Sequence, residues 1–215
     1  MEWGLLVIAI IVALVAYAVI QETRAQRHWR GLVAAGDVGA IRRILETEME
    51  RWRTERVPKG VPAALWHGVQ TVELVDVGRD FTRVGCSAEG QYAAVGGQRQ
   101  EVSSPLQEGM KLTRKLADMI LYDVPNLRLA RAQIDVYTTF RDESGVARQA
   151  CILSTIIDRA RAQDMDWDAL SDEEFVRHFG GRFSLDPRGG AHPIDAEEGA
   201  LRGEAAPPQQ AQRPV

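Results

Sequence analysis

The chain has 215 residues, of which 45% are hydrophobic and 26% are charged, and its formal net charge is −4. This composition is that of an ordinary globular domain, so it excludes a wholly disordered, collagen-like or multi-pass membrane protein. The acidic balance argues against a nucleic-acid-binding protein that relies on overall positive charge. Two cysteines are too few for a disulfide framework or for a zinc site built from cysteine alone.

The first segment of the chain predicts a membrane anchor. Residues 3–21 contain no charged side chain, and nearly all of them are apolar or aromatic. About 20 such residues form a helix long enough to cross the hydrocarbon core of a bilayer. Trp3 lies at one end, where an aromatic ring suits the headgroup layer. We therefore expect a transmembrane signal anchor at residues 1–22 that contacts lipid through residues 3–21.

An alternative interpretation of this segment is a secretory signal that is cleaved after Ala18. Ala16 and Ala18 have the spacing of a cleavage site. However, Glu2 precedes the apolar run and no Lys or Arg does, whereas signal peptides begin with positive charge. The run also continues past the cleavage position through Val19 and Ile20. Both observations favour an anchor that stays in place.

Positive charge after the apolar run predicts its orientation. Arg24, Arg27 and Arg30 lie in a basic juxtamembrane linker, residues 23–35, whereas the other side offers only the terminal amine. The positive-inside rule then places the N-terminus outside and the following domain in the cytoplasm. The alternative is the inverted topology, which would give an extracytoplasmic binding domain.

Residues 36–184 are expected to form a cytoplasmic α+β domain that begins with a helix. Asp37 is a suitable N-cap, and apolar residues then recur every three or four positions, as on one face of a helix. These residues are Val38, Ile41, Leu45, Met49 and Trp52. Strands are predicted at residues 69–77, from Phe81 through Ala94, and at residues 98–103 after a Gly-Gly turn.

The second half of the domain predicts two more helices and a strand pair. Ser104 and Ser171 each precede a Gln or Glu by three positions, which is the pattern of a capping box at a helix start. Strands are expected at residues 129–140 and 148–157, with a polar turn between them. The predicted order is α-β-β-β-α-β-β-α. Because hairpins dominate, we expect a small antiparallel sheet with helices packed on one face.

The last residues, 185–215, predict a disordered tail. They contain five of the nine prolines and no aromatic residue. Such a segment has too little apolar surface to offset the entropy of ordering.

One strand face is the candidate site for a ligand or partner. Alternation along the strand at residues 129–140 places five side chains on one side, which we expect to be the water-facing side of a half-exposed sheet. They are Arg131, Gln133, Asp135, Tyr137 and Thr139. A functional interpretation is that this face lines a cleft or binds a partner.

Other patterns point to no catalytic, cofactor-binding or metal-binding residue. Asp164, Asp166 and Asp168 resemble the start of a calcium loop, but the later ligand positions do not fit, so we interpret them as acidic residues before a helix. Cys86 and Cys151 are expected to be buried on strands. The histidines lack the spacing of metal ligands, and no glycine-rich phosphate loop is present. We therefore expect no cofactor.

Residues 29–95 resemble the start of domains of the nuclear transport factor 2-like superfamily, which includes inner-membrane translocase domains. The likeness lies in a helix after the sequence A-A-G-D, followed by V-E-L-V-D-V and a second strand. It covers under a third of the chain. It implies a cone-shaped α+β fold of the kind that is sometimes tethered behind a single membrane helix, and it implies no site residues.

Two functions are therefore under consideration. The first is a single-pass membrane-anchored protein whose α+β domain is a protein-interaction or assembly module, with a protein partner or self-association and no nucleic acid. The alternative is a membrane-tethered small-molecule binder or enzyme with a cleft over Asp135, Tyr137 and Thr139. The absence of catalytic motifs favours the first.

Overall fold

The computed structural model describes residues 35–141 and 144–203, together with six isolated positions between residues 12 and 33. The helices are α1 (Val38–Thr54), α2 (Ala63–Gln70), α3 (Pro105–Asp118), α4 (Arg159–Gln163) and α5 (Asp172–His178). The strands are β1 (Glu73–Val77), β2 (Phe81–Ser87), β3 (Gln91–Val95), β4 (Gln98–Ser103), β5 (Arg131–Arg141), β6 (Ala147–Asp158), β7 (Arg182–Leu185) and β8 (Ala191–His192). A π-helical turn, Met119–Asp123, extends α3, and a 3₁₀ turn, Trp167–Ala169, precedes α5. The chain is thus an α+β protein with several helices.

The main sheet is mixed, and the predicted purely antiparallel sheet is wrong. Six strands lie in the order β1-β2-β5-β6-β7-β8. Strands β2 and β5 are parallel, with Phe81 opposite Arg131 and Ser87 opposite Tyr137, while the other neighbours are antiparallel. The connection from β2 to β5 passes through the separate β3–β4 hairpin and α3, which is long enough for a crossover that returns in the same direction.

Local sequence signals explain where the three predicted helices begin. The Asp37 side chain accepts a hydrogen bond from the backbone N–H of Ala40 at the start of α1. Ser104 and Ser171 both form complete capping boxes, at α3 and α5 respectively. Each cap satisfies backbone donors that have no partner inside the helix, so these starts are confirmed.

The hydrophobic core lies between the helices and one face of the sheet. Val84, Ile134 and Val136 supply the sheet side of this core. Helix α3 approaches closely at Gly109, where a Cβ atom would lie 3.1 Å from Val136 Cγ1. From α1, Trp52 is 1% exposed. Burial of the helix face therefore holds the domain together.

Two predicted strands have different bounds from those expected. The strand predicted at residues 69–77 is shortened by helix α2, which follows directly after Pro62. The long strand predicted from Phe81 divides into β2 and β3. At the division, a Cβ atom on Gly90 would lie 3.0 Å from the Glu101 carboxylate and 3.2 Å from the carbonyl oxygen of Ser103, so a larger residue would crowd the backbone there.

The predicted disordered tail is wrong for its first part. After β7, a turn at residues 186–190 leads into β8, and the chain then follows the sheet as far as Gly203. We call residues 191–203 the C-terminal strap. Main-chain hydrogen bonds to the sheet, rather than buried apolar side chains, hold this segment, and composition does not reveal them. Residues 204–215 lie outside the described residues.

The predicted membrane segment lies almost entirely outside the described residues. In the part of the chain that the structure describes, no helix has the length and apolar character needed to span a membrane. Trp3, Arg24, Arg27 and Arg30 are not among the described positions.

We predict that Leu45→Ala destabilises the domain by about 2–5 kcal/mol, because it leaves a cavity in a close-packed core. Leu45 has 0% exposure. Urea unfolding of the full chain, followed by tryptophan fluorescence, measures the change. Leu185→Ala is the control, since Leu185 is 51% exposed and should change the free energy of unfolding by less than about 0.5 kcal/mol. Equal effects of the two substitutions would contradict the assignment of the core.

Candidate functional site

The five side chains predicted to share a face lie on the same side of β5, but they differ in exposure. Gln133 and Asp135 are 0% exposed, Tyr137 and Arg131 are half-buried, and Thr139 is exposed. The expected water-facing surface is therefore wrong at its centre. Something covers this face, and the centre must satisfy its polar groups inside the protein.

A buried polar cluster occupies the centre of this face. Arg83 Nε donates to Asp135 Oδ2 at 2.7 Å. Ser154 Oγ donates to Asp135 Oδ1 at 2.6 Å, and Gln133 Nε2 donates to the same oxygen at 3.0 Å. Both carboxylate oxygens therefore have strong partners. Three neighbouring strands, β2, β5 and β6, contribute these four residues, which we call the polar cluster.

Sequence reasoning missed two of the four residues of the polar cluster. The parallel pairing of β2 with β5 places Arg83 beside Gln133, and the antiparallel pairing of β6 places Ser154 opposite Asp135. A signal for Arg83 was present, because a charged residue inside an otherwise buried strand requires an ionic partner. Its partner could not be identified without the strand pairing.

The electrostatics of the polar cluster favour the charged guanidinium. Burial opposes the charge on Arg83, but hydrogen bonds to Glu197 and Asp135 outweigh burial and raise the pKa of this guanidinium. Burial, with Asp135 nearby, raises the pKa of Tyr137 to about 12. Tyr137 is therefore a protonated hydroxyl at neutral pH, and the geometry gives it no acid–base role there.

The C-terminal strap covers the polar cluster through its main chain. Arg83 Nη2 donates to the carbonyl of Ala196 at 3.0 Å. The N–H of Leu201 donates to Gln133 Oε1 at 2.7 Å. The N–H of Gly203 donates to Asp76 Oδ2 on β1 at 2.8 Å. Side chains of the sheet therefore contact main-chain groups of the strap, in which residues 196–199 form a turn.

One acidic side chain of the strap completes the contact. Glu197 Oε1 lies 2.7 Å from Arg83 Nη2. The hydrogen bond from Arg83 lowers the pKa of Glu197. A lowered pKa means that this contact stabilises the strap above the pKa of the free carboxyl, and that the stabilisation is lost as the pH falls through the lowered value.

The strap itself lies on the surface. Every residue from 191 to 203 is exposed or half-buried, and none is fully buried. Beneath it, the Arg83 side chain is only 4% exposed and that of Asp135 is 0% exposed. Polar contacts, rather than an apolar anchor, therefore hold the strap against the sheet.

The two cysteines are buried free thiols, as predicted. Cys151 pairs opposite Tyr137 on β5, and its carbonyl accepts a hydrogen bond from the N–H of Ile194 in the strap. Burial raises the pKa of the Cys151 thiol to about 11. Cys86 instead belongs to the helix-side core, and burial raises the pKa of its thiol further.

A separate cleft of about 390 Å³ opens between α2, α3 and the turn after β2. Glu108 lies at its edge with a side chain 7% exposed. Its carboxylate accepts hydrogen bonds from Lys111 Nζ and Gln91 Nε2, each at 2.6 Å. Burial opposes the charge, but these bonds outweigh burial and lower the pKa of Glu108. His67 also lines the cleft, beside Gln70.

The acidic segment before α5 has structural partners. Asp166 caps the 3₁₀ turn by accepting from the N–H of Asp168. Arg114 of α3 donates to the carbonyl of Leu170 at 2.9 Å and lies 3.3 Å from Asp172. Within residues 35–141 and 144–203, no group of three or more His, Cys, Asp or Glu residues could hold a metal ion.

Comparison with known proteins gives no match: no family model, curated protein or solved structure is similar to this chain.

We predict that Arg83→Gln lowers the free energy of unfolding by about 3–5 kcal/mol, because it leaves the Asp135 carboxylate buried without a counter-charge. Urea unfolding of the full chain gives the change. Adding Asp135→Asn should recover part of the loss, since the uncompensated charge is then absent. Glu197→Gln should have a much smaller effect, because Glu197 lies in solvent. An Arg83→Gln chain as stable as the wild type would contradict the role of this ion pair.

Proposed function

We propose that this chain is a single-pass membrane-anchored protein whose cytoplasmic α+β domain is a protein-interaction module. The binding surface is the face of the polar cluster. In the resting chain, the C-terminal strap occupies that surface. A partner segment that presents the same groups takes the place of the strap.

The observation that carries this proposal is the way the strap is bound. The polar cluster contacts a main-chain carbonyl and a main-chain N–H of the strap, those of Ala196 and Leu201. Hydrogen bonds to main-chain groups of a bound segment provide affinity whatever its sequence, and contacts to its side chains provide selectivity. Here the selective contact is the pair between Arg83 and Glu197.

The strap is suited to exchange. It contributes no fully buried residue, so its release exposes little apolar surface. The face beneath it is polar and can be hydrated when it opens. Release still requires competition, because the short turn at residues 186–190 keeps the strap at a high effective concentration.

The chemistry of the surface defines the partner. The partner is a protein segment that turns as the strap does at residues 196–199, with a carboxylate that reaches Arg83 and a free N–H that reaches Gln133. A proline at the position of Leu201 is incompatible, because proline has no N–H. The strap of a second copy fits this description, so self-association by strap exchange is one form of the interaction.

The membrane part of the proposal is supported by the sequence alone. Residues 3–21 carry no charge, and Arg24, Arg27 and Arg30 follow them. In this topology the N-terminus lies outside and the strap faces the cytoplasm.

A second candidate function is small-molecule binding. The alternative cleft over Asp135 and Tyr137 has no support, because the strap covers Asp135. The cleft between α2 and α3 is a better location, since its volume suits a small ligand and Glu108 supplies a nearly buried carboxylate.

We predict that Glu197→Lys in the full chain releases the strap, because it places a positive charge against Arg83. A fluorescent peptide of residues 191–203 should then bind the variant. It should bind the wild type about tenfold more weakly, because the wild-type strap competes with the peptide and a docking free energy of about 1.4 kcal/mol gives a tenfold difference. Fluorescence anisotropy measures this binding in neutral detergent. Alkylation should modify Cys151 faster in the variant, while Cys86 stays protected.

Matched controls separate strap release from a general effect of charge. Glu46→Lys makes the same change of charge on the exposed surface of α1 and should leave peptide binding at the wild-type level. A peptide with Leu201→Pro should not bind. If Glu197→Lys neither binds the peptide nor exposes Cys151, the strap is a fixed part of the fold, and the small-molecule function becomes the better proposal.

We also predict that the full chain stays with the membrane pellet after extraction with alkaline carbonate, because an apolar helix is not removed by breaking ionic contacts. In inside-out vesicles, added protease should cleave the tail, whereas in right-side-out vesicles it should not. Recovery of the chain in the soluble fraction would contradict the anchor without affecting the proposed exchange of the strap.

A further inference from the structure

A polar cavity of about 850 Å³ lies between the segment after α3 and the start of α4. Five of its lining side chains carry hydrogen-bond donors: Tyr122, Asn126, Arg128, Arg159 and Gln163. The cavity shares none of its lining residues with the polar cluster, the strap or the cleft at Glu108.

Arg159 is the central feature of this cavity, because its guanidinium is only partly satisfied. Its Nε donates to the carbonyl of Leu129 at 2.6 Å, and its Cζ lies 5.0 Å from the centre of the Tyr122 ring. Its Nη2 is buried and has no hydrogen-bond partner among the described residues. A buried donor without a partner is costly and rare in native proteins, so an acceptor is expected to complete it.

Arg128 adds a second positive charge that is also unpaired. It is exposed, and no carboxylate of residues 35–141 or 144–203 forms an ion pair with it. The neighbouring Arg131, in contrast, pairs with Asp80 at 3.3 Å. Both arginines line the same cavity, and the charge of Arg128 acts on Arg159.

One acidic residue, Asp123, lies in the lining that the structure describes. The charged groups that act on its carboxyl are Asp118, Lys115 and Arg51, and neither Arg128 nor Arg159 is among them. Burial, with Asp118 nearby, raises the pKa of Asp123. Among the described residues, no ion pair joins Asp123 to Arg128 or Arg159.

We propose that this cavity binds a phosphate-class anion through Arg128 and Arg159, with the Tyr122 hydroxyl and the Gln163 amide as additional donors. Planar guanidinium groups match phosphate oxygens in bidentate geometry and form short, charge-assisted hydrogen bonds. A phosphate group offers at least two free oxygens and a full negative charge, so it can accept from both guanidinium groups and from the additional donors at once. The open volume leaves room for the group that carries the phosphate.

Two sources could supply this anion. An adjoining cleft is lined by Arg79 and Arg128 together with Val33, Ala35 and Gly36, so the cavity lies near the point where the chain enters the domain from the predicted anchor. Eleven residues lie between Gln21 and Val33, and they span at most about 40 Å when fully extended. A lipid headgroup is therefore within reach, and a soluble phosphate monoester would use the same donors.

The test uses the full chain in neutral detergent and two probes, inorganic phosphate and dioctanoyl phosphatidylglycerol, with dioctanoyl phosphatidylcholine as the zwitterionic control. Isothermal titration calorimetry should show binding of at least one anionic probe to the wild type. Arg128→Gln should weaken that binding about fivefold, as expected for the loss of one arginine near an anionic group. Arg159→Lys, which keeps the charge but loses the planar fork, should also weaken it.

Arg56→Gln is the matched control, because Arg56 is exposed elsewhere on the domain and its loss should leave binding unchanged. Arg128-dependent binding of phosphatidylglycerol but not of phosphatidylcholine supports a lipid source, and Arg128-dependent binding of inorganic phosphate alone supports a soluble one. The proposal is overturned if neither probe binds, or if Arg128→Gln and Arg56→Gln have equal effects. The outcome does not depend on the anchor or on the strap.

Discussion

The buried ion pair between Arg83 and Asp135 is the constraint on which the arrangement of the sheet face depends. A charge that is removed from water must be surrounded by partners, or the folded state loses several kcal/mol. Here the partners come from β5, β6 and the strap. The parallel pairing of β2 with β5, the position of Ser154 opposite Asp135 and the path of the strap are therefore linked, because each places a donor or an acceptor on the same pair of charges.

A buried ion pair is weak evidence for stability, because apolar residues of similar volume often stabilise a core as well or better. Specificity is the more useful interpretation of this one. The guanidinium of Arg83 forms ion pairs with two carboxylates, and the sheet supplies only that of Asp135. The other carboxylate, that of Glu197, comes from the surface. Arg83 is paired on one side by the sheet and on the other by the strap, and this division is the observation behind the interaction function that we propose.

Local features of the fold could be predicted from the sequence, and distant ones could not. The caps at Asp37, Ser104 and Ser171 depend on residues three positions apart, so pattern alone found them. The alternation of β5 correctly placed Gln133 and Asp135 on one side of the strand. Whether that side is exposed to solvent depends on the strap, which lies more than 60 positions later in the chain, and no local pattern contains that information.

The strap illustrates why composition misled. The prediction of disorder rests on the apolar area that a segment can bury, and residues 191–203 have little apolar side-chain area. Their order instead comes from main-chain groups that meet side chains already fixed by the sheet. The turn before them is also closed locally: the N–H of Gly190 donates to Asp186 Oδ1 at 2.8 Å, and Gly189 has a φ of +81°, which suits glycine. This closure lowers the entropy lost when the strap docks.

Arginines of this chain differ in whether a carboxylate pairs with them, and this difference bears on function. Arg83 is buried, and Asp135 and Glu197 of its own chain both pair with it. Arg128 and Arg159 face an open cavity, and no carboxylate of the described residues pairs with either. Arg131 lies three positions after Arg128 and is paired with Asp80, so acidic partners are available in this region. A site for an external anion requires arginines that no carboxylate of the chain already pairs with, as is the case for Arg128 and Arg159 within the described part of the chain. A carboxylate from the chain itself would compete with the ligand for the same guanidinium donors.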